Sequence, residues 1–331
     1  MRRAIDLRTP EYRNAFDIHS HFTIIQFSMK ALLVSLMICA LVAGPASSRV
    51  MPESGGGLHV LITPSQLEEM MNDPATVILM VAQSKREYAK GHIPGSRFLW
   101  PGWLSASNPD LSTQVLPVGQ LDTLLGGLGI SHTSRVVLCG SGGNVSSTAR
   151  AYAIFDYLGM GGRTYVLNGG VEAWQGEGHA LSTELPLIVR GAFTPKVNPD
   201  AIADIELVAA RLHSAGTSII DARSPQAYNA KPSVGTRGGH IPGAKNISSS
   251  VVVDSTSRFV SADSLRTLFT RAGVASGDEV ITYCVVGQSA SVLYLAAKEL
   301  GYRVRLYDGS FEDWNSRDDL PVELPPPPAP K

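Results

Sequence analysis

The stretch Val280-Ile-Thr-Tyr-Cys284-Val-Val-Gly-Gln-Ser289-Ala-Ser-Val-Leu293 changes its period partway along. Val280 to Tyr283 is a short apolar run of strand length, whereas from Ala290 to Leu300 the apolar residues recur at helical spacing. The cysteine therefore stands where a strand hands over to a helix through a short loop. At such a junction the amides of the first helical turn lack partners, and the helix dipole adds positive potential. Both effects favour a thiolate, the nucleophilic form of cysteine, and a loop ending at a helix start holds anions on its amides. A lone cysteine at a strand end also serves as a small buried hydrophobe. This segment by itself leaves both readings open.

Outward from this stretch the chain repeats itself, starting near Gly57. Tyr88 and Gly91-His-Ile-Pro-Gly-Ser96 are echoed by Tyr228 and Gly239-His-Ile-Pro-Gly-Ala244. Val136-Val-Leu-Cys139-Gly140, followed by a helical pattern to Leu158, answers Val280-Ile-Thr-Tyr-Cys284 and its helix. Leu167-Asn-Gly-Gly-Val-Glu-Ala-Trp174 answers Tyr307-Asp-Gly-Ser-Phe-Glu-Asp-Trp314. The offset is 140 at both Tyr and Trp but 148 at the Gly-His pair, so the second copy carries eight extra residues within 229–238. Each copy reads helix (64–72; 203–214), strand (77–81; 218–222), Gly-His-Ile-Pro-Gly, helix (121–127; 262–272), central strand, loop, long helix and last strand (164–167; 304–307). Strands alternating with helices imply α/β architecture, a mostly parallel sheet with helices on both faces. Ligands of such sheets bind beyond the carboxyl ends of the strands, where Cys284 lies.

Composition sets the outer limits. A chain of 331 residues with formal net charge −1 suits about two globular domains and shows no basic excess for a nucleic-acid partner. Three cysteines, Cys39, Cys139 and Cys284, are too scattered for a disulfide framework or a zinc site, so no metal is expected. Met29-Lys-Ala-Leu-Leu-Val-Ser-Leu-Met-Ile-Cys39-Ala-Leu-Val-Ala43 followed by small residues has the form of a secretory signal over 29–48. Its apolar run, 31–43, is short for a membrane span, so a membrane enters only if this segment stays uncleaved. Residues 1–28 are then a leader or a mispredicted extension, and the expected location is periplasmic or secreted. The expected domains are 57–185 and 200–323, joined by a proline-punctuated linker over 186–199 and followed by a proline-rich tail over 324–331.

Together, Asp221-Ala-Arg223-Ser-Pro-Gln-Ala-Tyr228, Gly239-His-Ile-Pro-Gly-Ala244, Tyr283-Cys284-Val-Val-Gly-Gln-Ser289 and Tyr307-Asp-Gly-Ser-Phe-Glu-Asp-Trp314 resemble the rhodanese-type sulfurtransferase family in its tandem-domain form. The resemblance runs from about His59 to Glu323 and implies two tandem rhodanese-like domains, the first inert and the second catalytic. The first copy departs in the expected way. Gly140 takes the place of Cys284, and Val81 and Gln83 stand for Asp221 and Arg223. Cys139 falls one position early and reads as core packing, with a second site there as the lesser reading. His92 and His240 occur in both copies, which points to a role in the turn, though a place for His92 in the interdomain cleft stays open. Trp174 and Trp314 read as core anchors.

The resemblance implies a persulfide on Cys284, formed by attack on the outer sulfur of a donor and discharged to an acceptor, with ping-pong kinetics. The amides of Val285, Val286, Gly287, Gln288 and Ser289 are expected to hold the anionic sulfur, and Gly287 to let the backbone turn in. Arg223 is expected to face the pocket and grip an anionic donor, with a staple onto Asp221 as the other reading and Asp221 orienting nearby backbone. No cofactor is called for; the partners are a small-molecule sulfur donor and acceptor, with any protein acceptor unknown. Val285 and Val286 supply neither the cations of thiosulfate-using relatives nor the hydroxyl of mercaptopyruvate-using ones. Thiosulfate is the expected donor, with mercaptopyruvate or a persulfide as alternatives. Outside this class stand a sulfur-carrier module without turnover and a cysteine-dependent phosphatase or arsenate reductase. The phosphatase loop closes on an arginine, and no Arg or Lys occurs from Val285 to Tyr294.

Overall fold

The computed structural model describes residues 59–233 and 237–324. The expected leader (1–28), the signal segment (29–48) and the tail beyond Leu324 lie outside the described residues, as do three positions of the eight-residue insertion. Among the described residues no helix is long and apolar enough to cross a membrane.

The first copy runs β1 (Leu61–Ile62), α1 (Pro64–Met70), β2 (Thr76–Val81), α2 (Lys85–Lys90), β3 (Arg97–Leu99), the hairpin β4 (Ser105–Ala106) and β5 (Gln114–Val115), α3 (Val118–Gly127), β6 (Arg135–Gly140), α4 (Val145–Tyr157), β7 (Thr164–Leu167) and α5 (Gly170–Gly176). The second follows the same plan with β8 (Ile202–Ala203), α6 (Ile205–Ala210), β9 (Thr217–Asp221), α7 (Pro225–Tyr228), β10 (Lys245–Asn246), α8 (Ala262–Arg271), β11 (Glu279–Tyr283), α9 (Gln288–Glu299), β12 (Arg303–Tyr307) and α10 (Ser310–Ser316). The strand orders β1-β7-β6-β2-β3 and β8-β12-β11-β9-β10 are the same order in two sheets, and every pairing within them is parallel. The repeat in the sequence is thus a repeat in topology.

The helix expected over 203–214 is shorter than its pattern. Ile202–Ala203 pairs with Leu306–Tyr307 as an edge strand, and Asp204 then caps α6 by accepting the Leu207 amide at 2.8 Å. Such two-residue edge strands carry no periodicity of their own. Their neighbours impose them.

Central strands covered on both faces are apolar throughout, and their alternate residues sort into different cores. Val136 and Leu138 of β6 face a core shared by both copies, whereas Val137 and Cys139 face an outer core with Leu67, Tyr88 and Trp174. In the second copy Val280 joins the shared core, and Ile281 and Tyr283 join an outer core with Val208, Phe311 and Trp314. The long helices α4 and α9 pack against each other in the shared core, where the Tyr152 and Tyr294 rings lie 6.4 Å apart. This contact brings the carboxyl end of each sheet beside parts of the other copy.

Candidate active site

Cys284 follows the last residue of β11, and Gln288 opens α9, so the loop between them is four residues long. Cys284 is 3% exposed, while Val285 beside it is 53% exposed at the mouth. Gly287 sits at φ 80°, in the left-handed region. A Cβ there would lie 2.8 Å from Nη1 of Arg150 and 3.0 Å from the Asp308 carbonyl, so glycine is required by conformation and by space. Val286, Gln288 and Ser289 are half-buried along the same loop and helix start.

The direction of the loop amides follows from where its carbonyls are held. The Cys284 carbonyl accepts the Phe311 amide at 3.0 Å, and the Val285 carbonyl accepts the Glu312 amide at 3.0 Å. The Val286 carbonyl accepts the Thr113 hydroxyl at 2.6 Å. In a planar trans peptide the N–H points opposite to the C=O. With three successive carbonyls tied outward, the amides of Val285, Val286 and Gly287 turn the other way. None of these three donates to an acceptor among the described residues. The Cys284 amide is the exception, donating to Oγ of Ser310 at 3.2 Å. A cysteine at the head of three unspent amides and a helix N-terminus is a cradle for an anionic sulfur.

Arg223 and Asp221 lie one strand away, at the end of β9. Nε of Arg223 bonds both Asp221 carboxylate oxygens, at 3.0 and 2.9 Å, and Nη2 bonds Oδ2 at 2.5 Å. Nη2 also donates to the Gly239 carbonyl at 2.9 Å, and the guanidinium stacks 4.1 Å from the Phe311 ring centre. That edge of the fork, expected to be open to a donor, is closed on Asp221. The pair joins the turn after β9 to the Gly-His segment and to α10, whose amides hold the loop. Asp221 also accepts the Arg223 amide at 2.9 Å. Burial, with Asp221 alongside, pushes the Tyr283 phenol far up, and its oxygen accepts the Ile241 amide at 3.1 Å.

The remaining candidates sit apart from the loop. His92 is fully buried, stacked on Tyr88 at 3.9 Å, with Nδ1 against the Tyr88 carbonyl at 3.1 Å and Nε2 against the Glu184 carbonyl at 3.0 Å. It fills its own turn and does not face the cleft. His240 stacks likewise on Tyr228 at 3.6 Å. Trp174 and Trp314 donate to the Ala180 and Pro321 carbonyls at 3.0 and 2.8 Å. Cys139 lies in the outer core of the first copy, where burial pushes its thiol well up and disfavours the thiolate.

Sequence reasoning did not anticipate what the first copy contributes. Thr113 holds the Val286 carbonyl, the Val115 amide donates to Oδ2 of Asp308 at 2.9 Å, and the Ser112 amide donates to Glu312 at 2.8 Å. Nη2 of Arg150 in α4 pairs with Oδ1 of Asp308, and Arg150 is 3% exposed. These residues stand in a stretch without a motif or inside a helical pattern. Their one legible trace is the change from Asn168 to Asp308 between equivalent positions.

Comparison with known proteins agrees with this architecture. The profile of the rhodanese-like domain matches residues 63–177 and again 204–317. A thiosulfate sulfurtransferase of Azotobacter vinelandii is 32% identical over 268 residues, covering 81% of this chain and 98% of that protein. The 3-mercaptopyruvate sulfurtransferase of Escherichia coli K12 is 31% identical, covering 78% and 91%. The sulfur carrier protein TtuD of Thermus thermophilus is 30% identical, covering 80% and 96%. Among solved structures, the E. coli 3-mercaptopyruvate sulfotransferase SseA superposes with a TM-score of 0.66 at 27% identity, covering 76% of this chain and 98% of that one. YnjE, at 24% identity and a TM-score of 0.72 over 80% and 68%, shares the fold. With its family profile matched twice and its loop in place in the second match, the chain belongs to the rhodanese family and carries two rhodanese-like domains in tandem.

Proposed function

We propose that this protein is a sulfurtransferase that moves a sulfane sulfur from thiosulfate to a thiophilic acceptor, cyanide or a thiol, through a persulfide on Cys284. The observation that carries the reading is the cysteine at the head of three inward amides without acceptors among the described residues. In the first step the thiolate attacks the outer sulfur of thiosulfate. A Cys–S–S bond forms, the sulfur–sulfur bond of the donor breaks, and its electron pair leaves with sulfite. The persulfide keeps one negative charge, which the amides of Val285, Val286 and Gly287 face. In the second step cyanide attacks the outer persulfide sulfur, thiocyanate leaves and the thiolate returns. Charge and atoms balance at each step without an outside oxidant.

Support for thiosulfate comes from relatives of that name in Azotobacter vinelandii and Pseudomonas aeruginosa, 32% and 31% identical. The E. coli relatives of the 3-mercaptopyruvate name keep that donor as the second reading. The leader-like segment 29–48 supports a periplasmic or secreted location, where the donor and acceptor are small molecules. Intact mass after brief exposure to thiosulfate tests the cycle. Wild type and Cys139→Ser should gain one sulfur that cyanide removes, and Cys284→Ser should gain none. An adduct surviving Cys284→Ser would overturn the site. An unlabelled wild type would remove thiosulfate in favour of mercaptopyruvate, and a sulfur that forms but never discharges would identify a carrier.

A further inference from the structure

The inert copy is more than a neighbour of the loop, because its contact falls on the one loop carbonyl that the second copy does not hold itself. The Cys284 and Val285 carbonyls are held from within their own domain, by the amides of Phe311 and Glu312. The next carbonyl, of Val286, is held by the Thr113 hydroxyl from the other domain. A peptide rotates as a unit, so whatever fixes this carbonyl also aims the Gly287 amide. Gly287 is also the residue with the widest backbone freedom, at φ 80°, and it adjoins the helix that its carbonyl enters. Ser291 Oγ donates to the Gly287 carbonyl at 2.7 Å, which fixes the peptide after it but not the peptide before it.

Two further observations bear on this. Behind Gly287 stands Arg150, also from the first domain, 3% exposed, with Nε and Nη1 buried and without hydrogen-bond partners among the described residues. Its Nη1 stands where a Cβ of Gly287 would intrude, which closes off the space behind the loop. The pseudo-equivalent place over the inert loop supplies an internal control. Phe259 donates its amide to Asn168 at 2.8 Å as Val115 donates to Asp308 at 2.9 Å, so Ser257 stands where Thr113 does. The Ser257 hydroxyl donates to no loop carbonyl among the described residues. Among the described residues, the hydroxyl clamp is made over the loop that carries Cys284 and not over its counterpart.

We propose that Thr113, supplied by the inert domain, is a positioning residue for sulfur transfer: its hydroxyl holds the Val286 carbonyl outward and so aims the Gly287 amide at the persulfide. The proposal rests on the persulfide reading above, and its test is made independent of the donor. Full-length wild type, Thr113→Val and Thr113→Ser are exposed to inorganic polysulfide, whose terminal sulfur reaches any open thiolate, and sulfur gain at Cys284 is timed by intact mass. Thr113→Val, which keeps the shape and removes the hydroxyl, should load at least about tenfold more slowly, less than the roughly hundredfold or more lost when an aimed donor is removed outright. Thr113→Ser should recover most of the rate, and both variants should melt close to wild type. Loading of Thr113→Val within twofold of wild type would overturn the proposal, as would a Thr113→Ser variant as slow as Thr113→Val. Failure of thiosulfate to load wild type would count against the donor named above and leave this comparison standing.

Discussion

Ser310 shows how much the site asks of a single residue. It occupies the left-handed region at φ 53°, where a side chain costs about 1–2 kcal/mol, and it is fully buried. Its equivalent in the first copy is Gly170, at φ 62°, which meets the same conformation without that cost. What serine adds is the hydroxyl, which accepts the Cys284 amide at 3.2 Å and donates to the Tyr307 carbonyl at 2.9 Å. Ser310→Gly should therefore relax the backbone while freeing the Cys284 amide. The expected outcome is a stability change within about 1 kcal/mol, since strain relief offsets a lost hydrogen bond, together with sulfur loading slowed about tenfold. Chemical denaturation and timed mass spectrometry check the two halves. The place of Cys284 was legible, because a cysteine between a strand pattern and a helix pattern falls on the loop that joins them. Ser310 was quoted within a motif but not assigned, since spacing along the chain does not show a hydroxyl reaching back to an amide 26 residues earlier. The difference between Gly170 and Ser310 at equivalent positions was the available signal.

At the scale of elements, the second sheet is pinned at the end far from the loop by charge. Glu279 begins β11, is 8% exposed, and is held by Arg305 at 2.7 Å from β12 and by Arg211 at 3.2 Å from the end of α6. Burial by itself would raise its carboxyl, but the two guanidinium groups outweigh it and hold the group below the usual carboxylate range. A depressed carboxyl stabilises the fold above its unfolded value, and that contribution is lost as pH falls through the lower folded value. Glu279→Gln should thus cost about 2 kcal/mol at pH 7, and the gap to wild type should narrow below about pH 4. Urea midpoints at pH 7 and pH 3 measure it, and a gap that stays constant with pH would refute the assignment. The central strands and long helices were readable because an apolar run or a helical period of five or more residues constrains itself. Arg97–Leu99, Leu61–Ile62 and Lys245–Asn246 were not, because their strand state comes from the partner they pair with.

At the scale of the whole molecule, the two copies share one core and a set of polar links. Asp156 of α4 accepts the Tyr294 hydroxyl at 2.5 Å and the Lys298 ammonium at 2.7 Å, both from α9. Glu299 in turn accepts the Val60 and Leu61 amides at 2.9 and 3.1 Å, tying α9 to the first strand of the other copy. Burial, with the Asp156 charge beside it, pushes the Tyr294 phenol far up, so this hydroxyl stays a donor. Asp156→Ala leaves a half-buried cation and a buried hydroxyl without their acceptor and should cost about 3 kcal/mol. Calorimetry should show one transition at lower temperature; two separated transitions would mean that the copies melt independently. The repeat announced two like domains, but nothing in 105–115 or 254–259 announced that each copy's loop meets the other's hairpin. A polar stretch without period is silent about what it will touch.

That exchange has a consequence for how such a gene can change. After a duplication, the copy that loses its nucleophile is ordinarily free to accumulate substitutions until only its core is kept. Here the first copy supplies Thr113, Val115 and Arg150 to contacts with the second. Substitutions at these positions of the first copy therefore alter contacts made to the loop of the second. The two halves meet at that loop, so a change in either one reaches it.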